Sequence, residues 1–109
     1  NILLLILSNL VSNALKYTNQ LKDKSKGEVL IKVSKTKRHL NISIINTGWA
    51  IPDAVLGYFS KPWKYGMPYP TQGFGIGFSR EMAHLINGEL KLIPHINNGT
   101  KEFKLVLGE

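Results

Sequence analysis

The stretch Asn9-Leu-Val-Ser-Asn13-Ala-Leu-Lys16-Tyr17 closes a strongly apolar run that begins at Ile2. Residues four apart share one face of a helix, so the two carboxamides project together from a helix whose other sides are apolar. A carboxamide oxygen is a hard, neutral ligand that suits Mg²⁺, an ion that keeps most of its waters and is held largely by substrate phosphates. The spacing therefore predicts a helix with a polar, metal-binding edge.

A second cluster, Gly73-Phe-Gly75-Ile-Gly77, lies far downstream and leads into a predicted helix. Backbone N–H groups of a glycine-rich turn at the start of a helix can approach phosphate oxygens closely. Together, the asparagine pair and the glycine triplet predict a site for a Mg-nucleotide.

Length and composition indicate a single globular domain. The 109 residues suffice for one hydrophobic core, and the hydrophobic content of 43% is typical of globular rather than disordered chains. The apolar run Ile2–Leu7 is too short to span a membrane, and it lacks the basic start of a secretion signal. There is no cysteine, hence no disulfide or thiolate metal ligand. Because the sequence has no initiator Met and starts inside an apolar helix, we expect one domain over residues 1–109 that lacks the N-terminal part of its fold.

The net charge of +7, from 14 Lys and Arg residues against 7 acids, favours anionic partners. Nucleotide phosphates, an acidic protein face and nucleic acid all satisfy that condition. The basic residues are spread along the chain, which is typical of solvated turns and strand faces. No ladder of aromatic residues is interleaved with them, as a base-stacking platform requires. We therefore rank a nucleic-acid-binding function last and expect no nucleic-acid partner.

Hydrophobic periodicity predicts the secondary structure. Helices are predicted over residues 2–17, 53–58 and 75–86, and strands over 28–35, 40–46, 89–93 and 101–107. The core face of the first helix is predicted to contain Ile2, Leu3, Ile6, Leu10, Ala14 and Tyr17. The order of elements predicts an α+β, two-layer sandwich with helices on one face of a mixed, mostly antiparallel sheet.

Four segments, Asn9–Tyr17, Asn46–Pro52, Phe59–Lys64 and Gly73–Phe78, resemble in order the motifs of the ATP-binding catalytic domain of two-component sensor histidine kinases. This branch belongs to the superfamily of DNA gyrase, the mismatch-repair ATPases and the heat-shock chaperones. The likeness runs from residue 2 to about 107, and an ordered set of motifs is specific where one alone is weak. It implies the Bergerat-type ATP-binding fold.

The resemblance also implies cofactors, partners and a location. The cofactors would be ATP and Mg²⁺. The partners would be the histidine-bearing dimerisation domain of the same protein and the receiver domain of a response regulator. A cytoplasmic location without direct membrane contact is implied, as in the cytosolic part of a membrane-anchored sensor.

By the resemblance, Asn9 and Asn13 would hold Mg²⁺ and the triphosphate, Lys16 would contact phosphate, and Tyr17 would line the nucleotide pocket. Gyrase-like relatives have Glu at the position of Asn9, where it acts as the general base for hydrolysis. Because a carboxamide cannot accept a proton, the site is better suited to holding a phosphoryl donor for an external nucleophile. Asn9 and Lys16 are the candidate catalytic residues.

The second motif, Asn46-Thr-Gly48-Trp-Ala50-Ile51, departs from the family pattern at two positions. The family has Asp where this chain has Asn46, and that Asp accepts a hydrogen bond from the adenine 6-amino group. Losing the carboxylate should weaken ATP binding by about 1–2 kcal/mol, which is about tenfold. Ala50 replaces a second glycine. Gly48, Ala50 and Ile51 complete the adenine side of the predicted site.

The third and fourth motifs would serve the phosphates. Phe59 would anchor the segment by packing, and Lys61 and Lys64 replace family arginines, so they can neutralise a phosphate without a bidentate fork. The fourth motif keeps Gly73, Gly75 and Gly77, together with Ile76, whereas Phe74 replaces a hydroxyl residue.

Two functions remain open from the sequence. The first is transfer of the γ-phosphoryl group of Mg-ATP to a histidine on a separate domain, since none of the three histidines here has the family's acceptor setting. The second is a degenerate, pseudokinase-type domain that keeps the fold, binds ATP weakly or not at all, and acts by docking. The departures at Asn46, Ala50 and Phe74 motivate it.

Overall fold

The computed structural model describes residues 1–19, 27–48, 51–70, 74–95 and 99–108. In order, the elements of this part of the chain are α1 (Ile2–Asn19), β1 (Val29–Lys35), β2 (His39–Thr47), α2 (Asp53–Phe59), α3 (Phe74–Leu85), β3 (Gly88–His95) and β4 (Thr100–Gly108). Every predicted element is present, with boundaries that differ by at most two residues. Most of the predicted loop over 19–27 lies outside the described residues.

The four described strands form one sheet in the order β1-β2-β4-β3, and each pairing is antiparallel. The chain leaves the sheet after β2, forms α2 and α3, and returns as the β3–β4 hairpin, with β4 beside β2. The predicted α+β fold is confirmed. The sequence predicts a mostly antiparallel sheet, and all of its described strand pairings are antiparallel.

The core lies between α1 and the two central strands. Ile6, Leu10 and Ala14 recur every four residues along α1, and none is more than 2% exposed. They belong to one apolar cluster with residues of β2, α3, β3 and β4, namely Ile42, Ile44, Ile76, Ala83, Leu90, Phe103 and Leu105. Ile2, predicted on the same face, is 37% exposed because it lies in the terminal turn of the helix.

The edge strand β1 carries an apolar face that α1 does not cover. Ile31 pairs with Ile44, and Val33 pairs with Ile42, so both face the helical layer. They are nevertheless 54% and 65% exposed. The predicted alternation of β1 is present, but Ile31 and Val33 do not form a buried surface.

Arg80 joins the end of α2 to α3. Its Nη1 donates to the carbonyl of Tyr58 at 2.9 Å, and its Nη2 donates to the carbonyl of Lys61 at 2.6 Å. The guanidinium also lies 4.8 Å from the ring centroid of Tyr58 and 5.0 Å from that of Phe59. Carbonyls at a helix C-terminus need such donors, so this buried charge is paired where α2 ends.

None of the described helices is both long and apolar enough to cross a membrane.

The core predicts unequal effects for two leucines of α1. Leu10→Ala should lower the free energy of unfolding by about 2–5 kcal/mol, because it removes a fully buried side chain and leaves a cavity. Leu15, which is 50% exposed on the same helix, is the matched control, and Leu15→Ala should cost less than about 1 kcal/mol. Urea unfolding followed by circular dichroism measures both, and equal losses would contradict the packing described.

Candidate functional site

The asparagine edge of α1 lies beside its buried stripe. Asn9 and Asn13 are both half-buried, and Lys16 is exposed. No donor in the described part of the chain reaches the buried Oδ1 of Asn13. A buried carbonyl oxygen without a donor is costly, and a hard cation would satisfy it. The residues described contain no group of three His, Cys, Asp or Glu able to hold a metal. The asparagine edge therefore fits Mg²⁺ whose other ligands are phosphates and water.

The glycines at the start of α3 differ in what surrounds them. Gly75 is exposed, and a Cβ there would meet no atom of the described residues within 4 Å. A Cβ on Gly77 would lie 2.9 Å from Cγ of Tyr69, so this glycine allows a close approach of that ring. Ile76 lies in the core at 3% exposure. Because α1 packs against α3, the asparagine edge and Gly75 lie on neighbouring helices. Gly73 lies outside the described residues.

Asn46 lies at the end of β2 and faces the helical layer. It is 1% exposed, and its Nδ2 donates to the carbonyl of Thr47 at 2.8 Å. No described donor reaches its Oδ1, which is also buried. The carboxamide is thus held by one bond and presents an acceptor oxygen on the side of the sheet that α1 covers.

Lys101 is directly opposite Asn46 on β4 and is also 1% exposed. Its Nζ lies 3.1 Å from the ring centroid of Tyr17, a cation–π contact between β4 and the C-terminal part of α1. Burial lowers the pKa of Lys101 to about 8 and raises the pKa of Tyr17. Lys101 therefore contacts Tyr17 and lies beside Asn46 in the register of the sheet.

Sequence reasoning missed Lys101, although a signal existed. Alternate residues of a strand share one face, and Phe103 and Leu105 of β4 are in the core. Lys101 lies in phase with them. A lysine in phase with buried residues, next to a turn, marks the point where the apolar face of a strand ends.

The other adenine-side residues divide between described and undescribed parts of the chain. Gly48 has φ of 92°, a conformation that favours glycine, and its N–H donates to the carbonyl of Gly99 at 2.8 Å. Ile51 is half-buried. Ala50 lies outside the described residues.

Phe59 packs against the core, with its ring centroid 5.8 Å from that of Phe103. Lys61 and Lys64 are exposed, and both line a cavity of about 570 Å³ between α2 and residues 61–70. The described lining of this cavity does not include Asn9 or Asn13, so the two lysines are not brought to the asparagine edge here.

Segment 61–70 is fastened to α3 at two points. Trp63 stacks on His84 with ring centroids 4.1 Å apart and an angle of 11° between the planes. The hydroxyl of Tyr69 donates to the carboxylate of Glu81. Burial, together with the nearby charge of Arg80, lowers the pKa of His84. These contacts give His84 a structural setting.

Comparison with known proteins defines the family. The family described as histidine kinase-, DNA gyrase B- and HSP90-like ATPase matches residues 1–109. The chain belongs to this family.

Similar curated proteins are sensors. Sensor protein CreC of Escherichia coli K12 is 30% identical over 91 residues, which cover 79% of this chain and 18% of that protein. Virulence sensor protein BvgS of Bordetella pertussis Tohama I is 30% identical over 95 residues, which cover 78% of this chain and 7% of that protein. The chain therefore spans less than a fifth of either relative.

Solved structures with a similar fold include histidine kinase domains. The catalytic domain of histidine kinase ThkA has a TM-score of 0.69 at 20% identity, with 94% of this chain and 62% of that chain covered. A mycobacterial sensor histidine kinase, MprB, has a TM-score of 0.67 at 18% identity, with 95% and 68% covered. These likenesses confirm the predicted fold.

The two glycines of α3 should respond differently to a methyl group. Gly77→Ala should lower the free energy of unfolding by about 1–3 kcal/mol, because the new Cβ overlaps the Tyr69 ring. Gly75→Ala should be neutral or stabilise by up to about 1 kcal/mol, since the space is open and Ala favours helix. Thermal unfolding of both variants tests this, and a Gly77→Ala variant as stable as the native chain would contradict the close approach.

The pKa of Lys101 predicts a pH dependence of stability. Its value of about 8 in the folded chain lies below the ordinary 10.5, so between these values the unfolded chain binds a proton that the folded chain does not. The free energy of unfolding should therefore rise with pH in this window, by about 1–3 kcal/mol. Lys101→Met should remove this rise, and Lys104→Met on the same strand should keep it.

Urea unfolding at about pH 7.5 and about pH 9.5 measures this effect within the window that linkage defines. Measurement stops short of pH 10 because burial raises the pKa values of Tyr17 and Tyr58, which makes their ionisation unfavourable in the folded chain. An equal rise in all three proteins would show that Lys101 is not its source.

Proposed function

We propose that this domain binds Mg-ATP and holds it for transfer of the γ-phosphoryl group to a histidine on a separate dimerisation domain. The observation that carries the proposal is the buried Oδ1 of Asn13, which has no donor among the described residues. It lies one helical turn from Asn9, in a chain that belongs to an ATPase family. An unsatisfied hard acceptor at this position supports a role as a ligand.

The residues of α1 that would contact the nucleotide are spaced along the helix. Asn9 and Tyr17 are eight residues apart, a rise of about 12 Å along a helix, which suits a nucleotide lying beside it. Asn9 and Asn13 would hold Mg²⁺, and Lys16 would contact a phosphate oxygen. When bound, Mg²⁺ neutralises charge on the triphosphate. The exposed Gly75 offers backbone to the same phosphates at the start of α3.

Asn9 supports transfer to an external acceptor over hydrolysis. Its carboxamide cannot take a proton from water, so the side chain positions the donor and leaves proton removal to the acceptor's surroundings. In the transfer, the bond between the γ-phosphorus and its bridging oxygen breaks, a bond to an imidazole nitrogen forms, and ADP leaves. The domain's contribution is positioning and charge stabilisation.

The partners proposed are the histidine-bearing domain of the same protein and the receiver domain of a response regulator, in the cytoplasm. The relatives CreC and BvgS are named as sensor proteins, which supports this setting. The net charge of +7 favours approach of anionic ligands such as the triphosphate.

A docking-only function is the second candidate, and one observation favours it. Asn46 and Lys101 are each 1% exposed, so the adenine side of the site is closed in this structure. A domain with that side closed could keep the fold and signal by contact alone.

Calorimetric titration with Mg-ATP tests the proposal. Binding should be sub-millimolar and should weaken when EDTA removes Mg²⁺. Asn13→Ala should weaken it at least about tenfold, since a charge-bearing contact is lost. Asn41→Ala, on the opposite face of β2, is the control and should bind as the native chain does. No binding at millimolar ATP would reject the proposal and leave docking.

Phosphoryl transfer needs a separate measurement. The domain is mixed with γ-labelled ATP and with the histidine-bearing domain of the same protein, supplied in trans. Acid-labile label on that domain, lost with Asn9→Ala, is the expected result. Nucleotide binding without any label transfer would restrict the function to nucleotide binding.

A further inference from the structure

A row of four residues, paired across the strands of the sheet, lies at one end of the proposed nucleotide site. Val29, Asn46, Lys101 and Pro94 are paired in register across β1, β2, β4 and β3. The row lies on the face of the sheet that packs against α1, and Tyr17 lies over Lys101. The two polar members of the row are each 1% exposed.

Lys101 occupies the space beside the acceptor that a base would need. A base that donates a hydrogen bond to Asn46 must reach its Oδ1. The carboxamide of Asn46 is already held by the hydrogen bond that its Nδ2 donates to the carbonyl of Thr47. The neighbouring space between the sheet and Tyr17 contains the four-carbon chain and ammonium of Lys101. Because Asn46 and Lys101 are paired on the same face of the sheet and each is 1% exposed, a base that reaches Asn46 would have to displace neighbouring side chains.

The phosphate end of the same site is open by comparison. Asn9 and Asn13 are half-buried, whereas Lys16 and Gly75 are exposed. Lys16 and Gly75 can therefore be reached from solvent, whereas Oδ1 of Asn13 and Oδ1 of Asn46 are both buried.

We infer that Lys101 fills the base subsite, so that this chain takes Mg-triphosphates by their phosphate end and discriminates little among bases. The inference rests on the proposed nucleotide site and makes Lys101 its specificity-determining residue.

The chemistry of the ammonium agrees with closure against adenine. The ammonium of Lys101 offers no acceptor to the 6-amino group of adenine. The Tyr17 ring stabilises the cation in place, which offsets part of the cost of burying it. The lowered pKa of Lys101 is consistent with this burial.

The test compares Mg-ATP, Mg-GTP and Mg-tripolyphosphate by calorimetry on the native chain and on variants. The native chain should bind ATP and GTP within about threefold of each other, a difference at the low end of what one hydrogen bond contributes. Lys101→Thr, which keeps a residue suited to a strand, should tighten ATP by about tenfold and leave tripolyphosphate unchanged.

Lys104→Thr is the matched control, because Lys104 lies on the same strand with its side chain on the opposite face. It removes the same charge, so a general electrostatic effect would appear in both threonine variants. Thermal unfolding verifies that each variant is folded.

The native chain alone can overturn the inference, even if a variant fails to fold. A preference for ATP over GTP of more than about tenfold would show that the base is read. An ATP affinity unchanged by Lys101→Thr would also overturn it. If the native chain binds no triphosphate but Lys101→Thr binds ATP, closure is supported and the proposed function fails. If no triphosphate binds to either protein, both fail.

Discussion

The packing of α1 against β2 and α3 determines which side chains of the helix can contact a ligand. Leu10 and Ala14 are buried against the sheet, and Asn9 and Asn13 precede each of them by one residue. One residue is a rotation of about 100° on a helix, so the carboxamides lie at the margin of the buried stripe. Half-burial follows directly from that position. The register of the core is therefore also the register of the proposed metal ligands, and neither can shift without the other.

Local periodicity was sufficient to predict the elements, because α1, β2 and β4 each bury one regular face. The asparagine pair was visible for the same reason. The contact between Lys101 and Tyr17 was not, because it depends on the strand order, which places β4 beside β2. Arg80 was missed for another reason. Its partners are backbone carbonyls at the end of α2, and the letters of a sequence do not show where a carbonyl is left without a donor.

The glycine motif shows how one pattern can serve two physical purposes. Gly75 has open space beside it and remains available to a ligand. Gly77 is closed by the Tyr69 ring, which is in turn held by Glu81 on the same helix. Gly77 therefore serves the contact between α3 and segment 61–70. Trp63 also stacks on His84, further along α3, so segment 61–70 contacts α3 at two points. A ligand at Gly75 would therefore contact a helix that is already attached to this segment.

On the inner face of the sheet, the core ends and the polar residues of the proposed site begin at the same paired position on β2 and β4. Ile44 on β2 pairs with Phe103 on β4, and both are core residues. Two residues later on β2 and two residues earlier on β4, Asn46 pairs with Lys101, and the sheet face becomes polar while it stays buried. Buried polar groups are costly and buried apolar substitutes are often neutral or stabilising, so packing alone does not account for this pair. Because the change occurs on both strands at the same paired position, below Tyr17, the pair of Asn46 and Lys101 is not an irregularity of one strand, and it supports the proposed site.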